Sequence, residues 1–159
     1  MANKPRKSWQ EKLADSKGLP NVEIIADNMR KRWGTGMMVI PAPTEVDEMM
    51  RKVPKGKLTT IHLIRETLAK KHGATIGCPV TTGIFAWISA HAAEEAATEG
   101  KKKITPYWRT LKSNGELNEK YPGGIKAQSK HLREEGFTIE PSKGKKSPGV
   151  KDFEKYLIK

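Results

Sequence analysis

The sequence predicts a mixed α/β chain that is mostly helical, and three observations carry the prediction. Two long stretches, 61–72 and 81–98, place apolar residues at helical spacing behind threonines and are closed by Gly73 and Gly100. Short apolar runs at 22–25, 36–40 and 137–140 are bounded by Gly or Pro, as strands are. Between 104 and 136, a Thr-Pro-Tyr-Trp-Arg run on an expected strand leads to an Asn114-Gly115 turn. Tyr121-Pro122-Gly123-Gly124 and a helix ending in Glu134-Glu135-Gly136 follow. Asn-Gly suits a tight turn because both residues tolerate positive φ, and Gly123-Gly124 lets the backbone bend before the helix.

At 159 residues the chain is long enough for one domain with a real core and at most an added subdomain. Its 30 Lys and Arg outnumber 18 Asp and Glu, a net charge of +12. That imbalance favours polyanionic partners, nucleic acid first, because neutralising phosphates releases counterions. Many basic chains are merely well solvated, and ribosome-associated proteins share the composition. A single cysteine, Cys78, excludes an internal disulfide and any multi-cysteine metal site. His62, His72, His91 and His131 have no spacing that predicts zinc, so no metal or cofactor is expected. With no signal peptide and no apolar run long enough to span a bilayer, a cytoplasmic location is the expectation. The chain is read as a monomer.

Residues 1–7 are basic and expected to be mobile. Ser8-Trp9-Gln10-Glu11 reads as a capping box opening a short helix to about residue 17, with Gly18 as its stop. Residues 22–25 are a short strand or extended chain. Residues 27–33 are one or two helical turns closed by Gly34, and their Arg30, Lys31 and Arg32 form a solvated face more readily than a phosphate contact. Residues 36–40 form a candidate strand. Thr44 then caps a helix from 45 to 52, whose Val46, Met49 and Met50 face a core.

Thr60 caps the helix 61–72, with Ile61, Ile64 and Leu68 as its inner stripe. Cys78, ahead of Pro79, is read as a small half-buried hydrophobe in preference to an activated thiol, because no base can be assigned to it. Thr81 or Thr82 caps the second long helix. Its Ile84, Trp87, Ile88 and His91 are expected to face inward, with Phe85, Ser89 and Ala92 as the adjoining stripe. Residues 142–151 are expected to be a flexible basic linker. Asp152 then caps a short final helix that docks Phe153, Tyr156 and Leu157.

Four elements in this order resemble the C-terminal domain of the methylguanine-DNA methyltransferase family. That family carries Pro-Cys-His-Arg, an Asn-Gly or similar turn, Tyr-x-Gly-Gly, and a helix closing in Glu-Gly. Here Pro106-Tyr107-Trp108-Arg109, Asn114-Gly115, Tyr121-Pro122-Gly123-Gly124 and Glu135-Gly136 stand at matching spacings. Upstream, 53–60 resembles the family's Ile-Pro-x-Gly-x-Val-x-Ser/Thr opening. The resemblance implies a winged helix-turn-helix DNA-binding domain over 44–140. Residues 1–43 are then a helical N-terminal extension, and 141–159 a basic linker with a short helix. Helices 61–72 and 81–98 become the helix-turn-helix pair, with Val80, Thr81, Thr82 and Gly83 at the end that enters the groove.

The departures bear on chemistry. The family's nucleophilic cysteine falls at Tyr107 and its activating histidine at Trp108, whereas its glutamate is kept as Glu135. A phenol with an ordinary pKa of ~10 is a poor nucleophile at neutral pH without a base, so methyl transfer is not expected. Ile61 stands where the family's phosphate-pressing tyrosine follows Thr60, which leaves Thr60 or His62 to replace that contact. No arginine stands near Val80 to fill the gap left by a flipped base, and Val80 itself is the available apolar wedge. The stretch before Pro106 exceeds the family's spacing and ends in Lys101, Lys102 and Lys103, three charges beside the expected pocket.

Within the family the chain is most similar to the alkyltransferase-like proteins, which lack the cysteine, bind alkylguanine in DNA and hand it to excision repair. The resemblance implies a non-catalytic binder of double-stranded DNA, with excision-repair proteins as further partners. Tyr107, Tyr121, Gly123 and Gly124 would hold a flipped base, with Pro106, Trp108, Arg109 and Glu135 around them and Asn114 beside the duplex. A stacked base contributes about 1–3 kcal/mol, which helps offset the few kcal/mol that extrusion costs. Three further readings stay open: a winged-helix DNA or RNA binder without base flipping, a protein-interaction or ribosome-associated module, and an enzyme built on Cys78.

Overall fold

A twenty-residue helix, α5 (Pro79–Thr98), is the element on which the others pack. Its alanines explain why: Ala86, Ala90, Ala92, Ala93 and Ala96 are buried, and small side chains let neighbouring helices approach closely. The computed structural model describes residues 7–158, so all but Lys7 of the basic segment 1–7 lies outside the described residues. Three helices lie against α5: α1 (Trp9–Ala14), α3 (Pro43–Arg51) and α4 (Ile61–Lys71). Val39, Val46, Met50, Ile64, Leu68 and Phe85 fill the space between them. Each such side chain, fully buried, stabilises the fold by roughly 1.5–3 kcal/mol.

Several ends fall where local chemistry places them. Ser8 accepts the Glu11 N–H at 3.1 Å and opens α1, which stops at Ala14, short of residue 17. Thr60 accepts the Leu63 N–H at 3.2 Å and opens α4. Gly73, Gly100 and Gly136 follow α4, α5 and the last long helix with positive φ. Two caps differ from expectation. Pro43, not Glu45, begins α3, because proline suits a first helical turn and the Glu45 carboxylate accepts the Ala42 N–H at 3.0 Å. Pro79 likewise begins α5, so Thr81 and Thr82 lie inside the first turn and cap nothing.

Three small sheets tie the chain together. β1 (Asn21–Ile24) pairs antiparallel with β2 (Met37–Ile40), and β2 pairs in parallel with β4 (Ile76–Gly77), just before α5. A short helix, α2 (Arg30–Trp33), connects β1 to β2. β3 (Thr59–Thr60) pairs in parallel with β5 (Thr110–Leu111). After α6 (Gly124–Glu134), β6 (Ile139–Glu140) pairs antiparallel with β7 (Gly149–Val150). Residues 8–43 therefore share core and sheet with the rest: α1 packs on α5, and β2 pairs with β4.

The expected linker at 142–151 is corrected at its end, which folds back as β7 and buries Val150 against Leu117, Leu132 and Phe137. Asp152 caps no helix; it adopts a left-handed conformation, and Phe153–Tyr156 forms a 3-10 turn. The Leu58 N–H donates to the Tyr156 carbonyl and the Ile158 N–H to the Leu58 carbonyl, so the tail runs beside β3. No described helix is long and apolar enough to cross a membrane.

Candidate nucleic-acid interface

Residues 107–109 form a 3-10 turn, not the expected strand, and only Thr110–Leu111 is extended. The turn sends Tyr107, Trp108 and Arg109 in three directions. Tyr107 goes into the core with 1% of its surface exposed, edge-on to Tyr121 with ring centroids 5.6 Å apart. Its hydroxyl donates to Glu94 Oε2 at 3.1 Å. Burial, together with the Glu94 carboxylate, pushes the phenol well above its ordinary range, so it stays protonated. Tyr121 is also buried, at 2% exposure, and burial raises its pKa as well. Asn118 lies beside the Tyr121 hydroxyl, but no partner completes a hydrogen bond to it.

Trp108 stacks on His131 of α6, with centroids 4.1 Å apart and planes 12° from parallel. Its indole N–H donates to Glu135 Oε2 at 2.8 Å. Arg109 grips the same carboxylate through Nε at 2.9 Å and Nη2 at 2.8 Å, and donates through Nη1 to the Val53 carbonyl at 2.7 Å. Burial alone would raise the Glu135 carboxyl. The hydrogen bonds from Arg109 and Trp108 outweigh it and hold Glu135 below the usual carboxylate range. An indole donates and cannot accept a proton, so this arrangement keeps a hydrogen bond to glutamate without supplying a base.

An open surface lies on the outer side of α5. Val80, Ile84 and Trp87 follow one another at i, i+4 and i+7, and Val80 and Ile84 are 55% and 45% exposed. With Gly83, Lys112, Asn118, Glu119 and Lys120 they line a groove of about 730 Å³, in which Lys112 pairs with Glu119 at 2.9 Å. The same row continues into Trp87 and His91, and there α1 covers it. Trp9 stacks on His91 at 4.5 Å and meets Trp87 edge-on at 4.8 Å. Glu95 fastens α1 by accepting the Trp9 and Gln10 backbone N–H groups. The expected inward face of α5 is thereby corrected at Ile84. The helix buries its Phe85, Ser89 and Ala92 stripe, because apolar residues occur all round it and packing chooses between the faces.

The predicted DNA-contacting residues scatter. Val80 and Gly83 line the groove. Thr60 is buried as the α4 cap, and Thr82 is buried with its hydroxyl donating to the Cys78 carbonyl at 2.6 Å. Thr81 is half-buried with no partner for its hydroxyl, Ile61 is half-buried, and His62 is exposed beside Glu66 at 2.9 Å. Asn114 is exposed, and its side chain accepts the Glu116 N–H. Lys101, Lys102 and Lys103 are exposed and follow the far end of α5, about 27 Å from Val80 at 1.5 Å per residue, so they stand away from the groove at the start of that helix. Pro106 is buried, and Gly123 and Gly124 both take positive φ where α6 begins. Sequence reasoning missed Glu94 and His131, which meet their partners only through the fold. It also missed Lys112, Asn118 and Lys120, whose sole signal is their position before Tyr121.

This architecture, a mixed α/β body of helices with small sheets, is the fold of the alkyltransferase-like proteins. The chain is similar to S. pombe Atl1 in complex with damaged DNA containing O6-carboxymethylguanine, with a TM-score of 0.52 and 20% identity over 74% of this chain and 94% of that one. It is likewise similar to S. pombe ATL in complex with DNA, with a TM-score of 0.51, 20% identity and the same coverage. At that identity the likeness is one of fold. No protein-family model matches the chain, and no curated protein matches it by sequence.

Proposed function

We propose that this chain is a non-catalytic, alkyltransferase-like protein that binds duplex DNA and recognises alkylated guanine. The observation that carries the reading is the groove at the start of α5. Val80 and Ile84 are exposed there on the helix that follows α4 across a short turn, as the recognition helix of a helix-turn-helix does, and Lys112 and Lys120 line the same groove. Apolar side chains suit wedging between base steps, and Lys120 suits a flanking phosphate, with Lys112 beside it in an ion pair with Glu119. A net charge of +12 supports a polyanionic partner, and the two solved structures of like fold hold DNA. The absence of methyl transfer rests on Tyr107, a buried phenol held protonated, beside an indole that cannot act as a base.

A second reading, duplex binding without base insertion, is favoured by the burial of Tyr107 and Tyr121, whose ring faces are covered. Fluorescence anisotropy with matched duplexes, one carrying a single methylguanine, separates the two across a salt series. Tighter binding to the lesion that is weakened at least tenfold by Ile84→Glu is the expected result. Equal, salt-sensitive binding to both duplexes leaves the second reading. Binding to neither sinks both.

A further inference from the structure

We propose that the outer face of α6 is a second phosphate-binding surface, extending the DNA footprint beyond the groove at the start of α5. The proposal rests on the DNA-binding reading above. Lys126, Lys130 and Arg133 lie at i, i+4 and i+7, which places them on one stripe of the helix. All three are exposed, and none takes part in an ion pair among the described residues. Gln128, Ser129 and Leu132 on the opposite face are buried, so the helix has one fixed orientation and the cations point outward.

The acids near this row do not cancel it. Glu135 turns inward to Arg109 and Trp108, Glu119 in the groove wall is paired with Lys112 at 2.9 Å, and on α6 itself Glu134 flanks the stripe. Lys120 in the groove wall precedes α6 through a tight bend in which the Gly124 N–H donates to the Tyr121 carbonyl. Positive charge therefore continues from the groove onto the helix. From Lys126 to Arg133 the row spans about 10 Å, and one DNA strand carries a charge about every 3.4 Å. Three cations can thus neutralise up to three phosphates. A protein partner fits less well, because interface cores need apolar or aromatic anchors. Beside the three cations the stripe offers only the half-buried Ala127.

The test is anisotropy with a duplex of about three helical turns, roughly 100 Å at 34 Å per turn, between 50 and 200 mM salt. The wild type is compared with a Lys126→Gln/Lys130→Gln/Arg133→Gln variant. Lys143→Gln/Lys145→Gln/Lys146→Gln, an exposed triple change of equal charge, is the control. Glutamine is a good helix former, and matched thermal melts check that each variant is folded. The expected result is a salt slope shallower by about three for the α6 variant, so that its affinity falls about 50-fold less across the range, with the control unchanged. An unchanged slope for the α6 variant overturns the proposal, and so does an equal loss in both triple variants, which would mark diffuse charge. A wild type that binds no duplex removes the DNA-binding reading and this proposal with it. That failure is distinct from wild-type binding with an indifferent α6.

Discussion

Glu135 satisfies two neighbours at once, the Trp108 indole and the Arg109 guanidinium, and both sit in a region with little water: the Arg109 and Glu135 side chains are 13% and 9% exposed. Removing one member of such a group leaves the other charge unpaired, which costs more than the pair itself contributes. Glu135→Ala is therefore expected to lower stability by about 3–5 kcal/mol, read as a drop in urea midpoint with an unchanged m-value. A loss under about 1 kcal/mol would show that water replaces the carboxylate, and the arrangement would then be incidental. Tyr107 illustrates the opposite economy. Its ring fills core and its hydroxyl finds Glu94, so its role is packing, whatever chemistry the equivalent position carries elsewhere.

Between elements, the decisive contact is the docking of α1 on α5. A helix of six residues does not hold itself together in water, so α1 exists because Trp9 stacks on His91 and Glu95 receives its first N–H groups. The Gln10 amide and those backbone donors together hold the Glu95 carboxyl below its usual range. Glu95→Ala is expected to release α1, at a cost of about 0.5–2 kcal/mol for a lost helix cap. The readouts are faster proteolysis at Lys12 and a red shift in tryptophan emission as Trp9 meets water. Unchanged protection at Lys12 would mean that aromatic packing alone secures the helix. A released α1 would also bare Trp87 and lengthen the apolar row that begins at Val80, so the same variant links packing to the groove.

At the scale of the molecule, several carboxylates act together. Burial alone would raise Glu45, but the Ala42 N–H, Lys71 and His72 outweigh it, and Arg109 and Trp108 do the same for Glu135. Both groups have folded pKa values below their ordinary value. Their contribution is therefore complete above the unfolded pKa of about 4.3 and is lost as pH falls through the lower folded values. Melting temperature is expected to be level from pH 7 to about 5 and to fall steeply below about 4, with a shallower acid fall in Glu135→Ala. A melting temperature unchanged to pH 3 would contradict the assignment of these ion pairs. Lys71 and His72 both reach Glu45, so this acid-sensitive contact joins the end of α4 to the start of α3.

The features legible in the sequence were those decided within a few residues. Ser8 and Thr60 cap helices because a hydroxyl reaches an N–H three residues on, and Gly73, Gly100 and Gly136 end helices because a missing Cβ permits positive φ. The mixed α/β class followed from those boundaries together with the strand-like runs. That position 107 carries a phenol and not a thiol was equally readable from the sequence. The outcomes decided by tertiary structure depend on what lies across the interface. α5 is apolar all round, so only the arrival of α1, α3 and α4 determined that Phe85 is buried and Ile84 is not. Glu94 finds Tyr107 and His131 finds Trp108 across loops whose closure no local spacing encodes. The tail reads as linker because Gly, Pro and Lys carry little hydrophobic drive, and it is ordered instead by Val150 entering a core built elsewhere in the chain. Local signals specify where an element begins and ends; which of its faces meets water is set by the surfaces available to cover it.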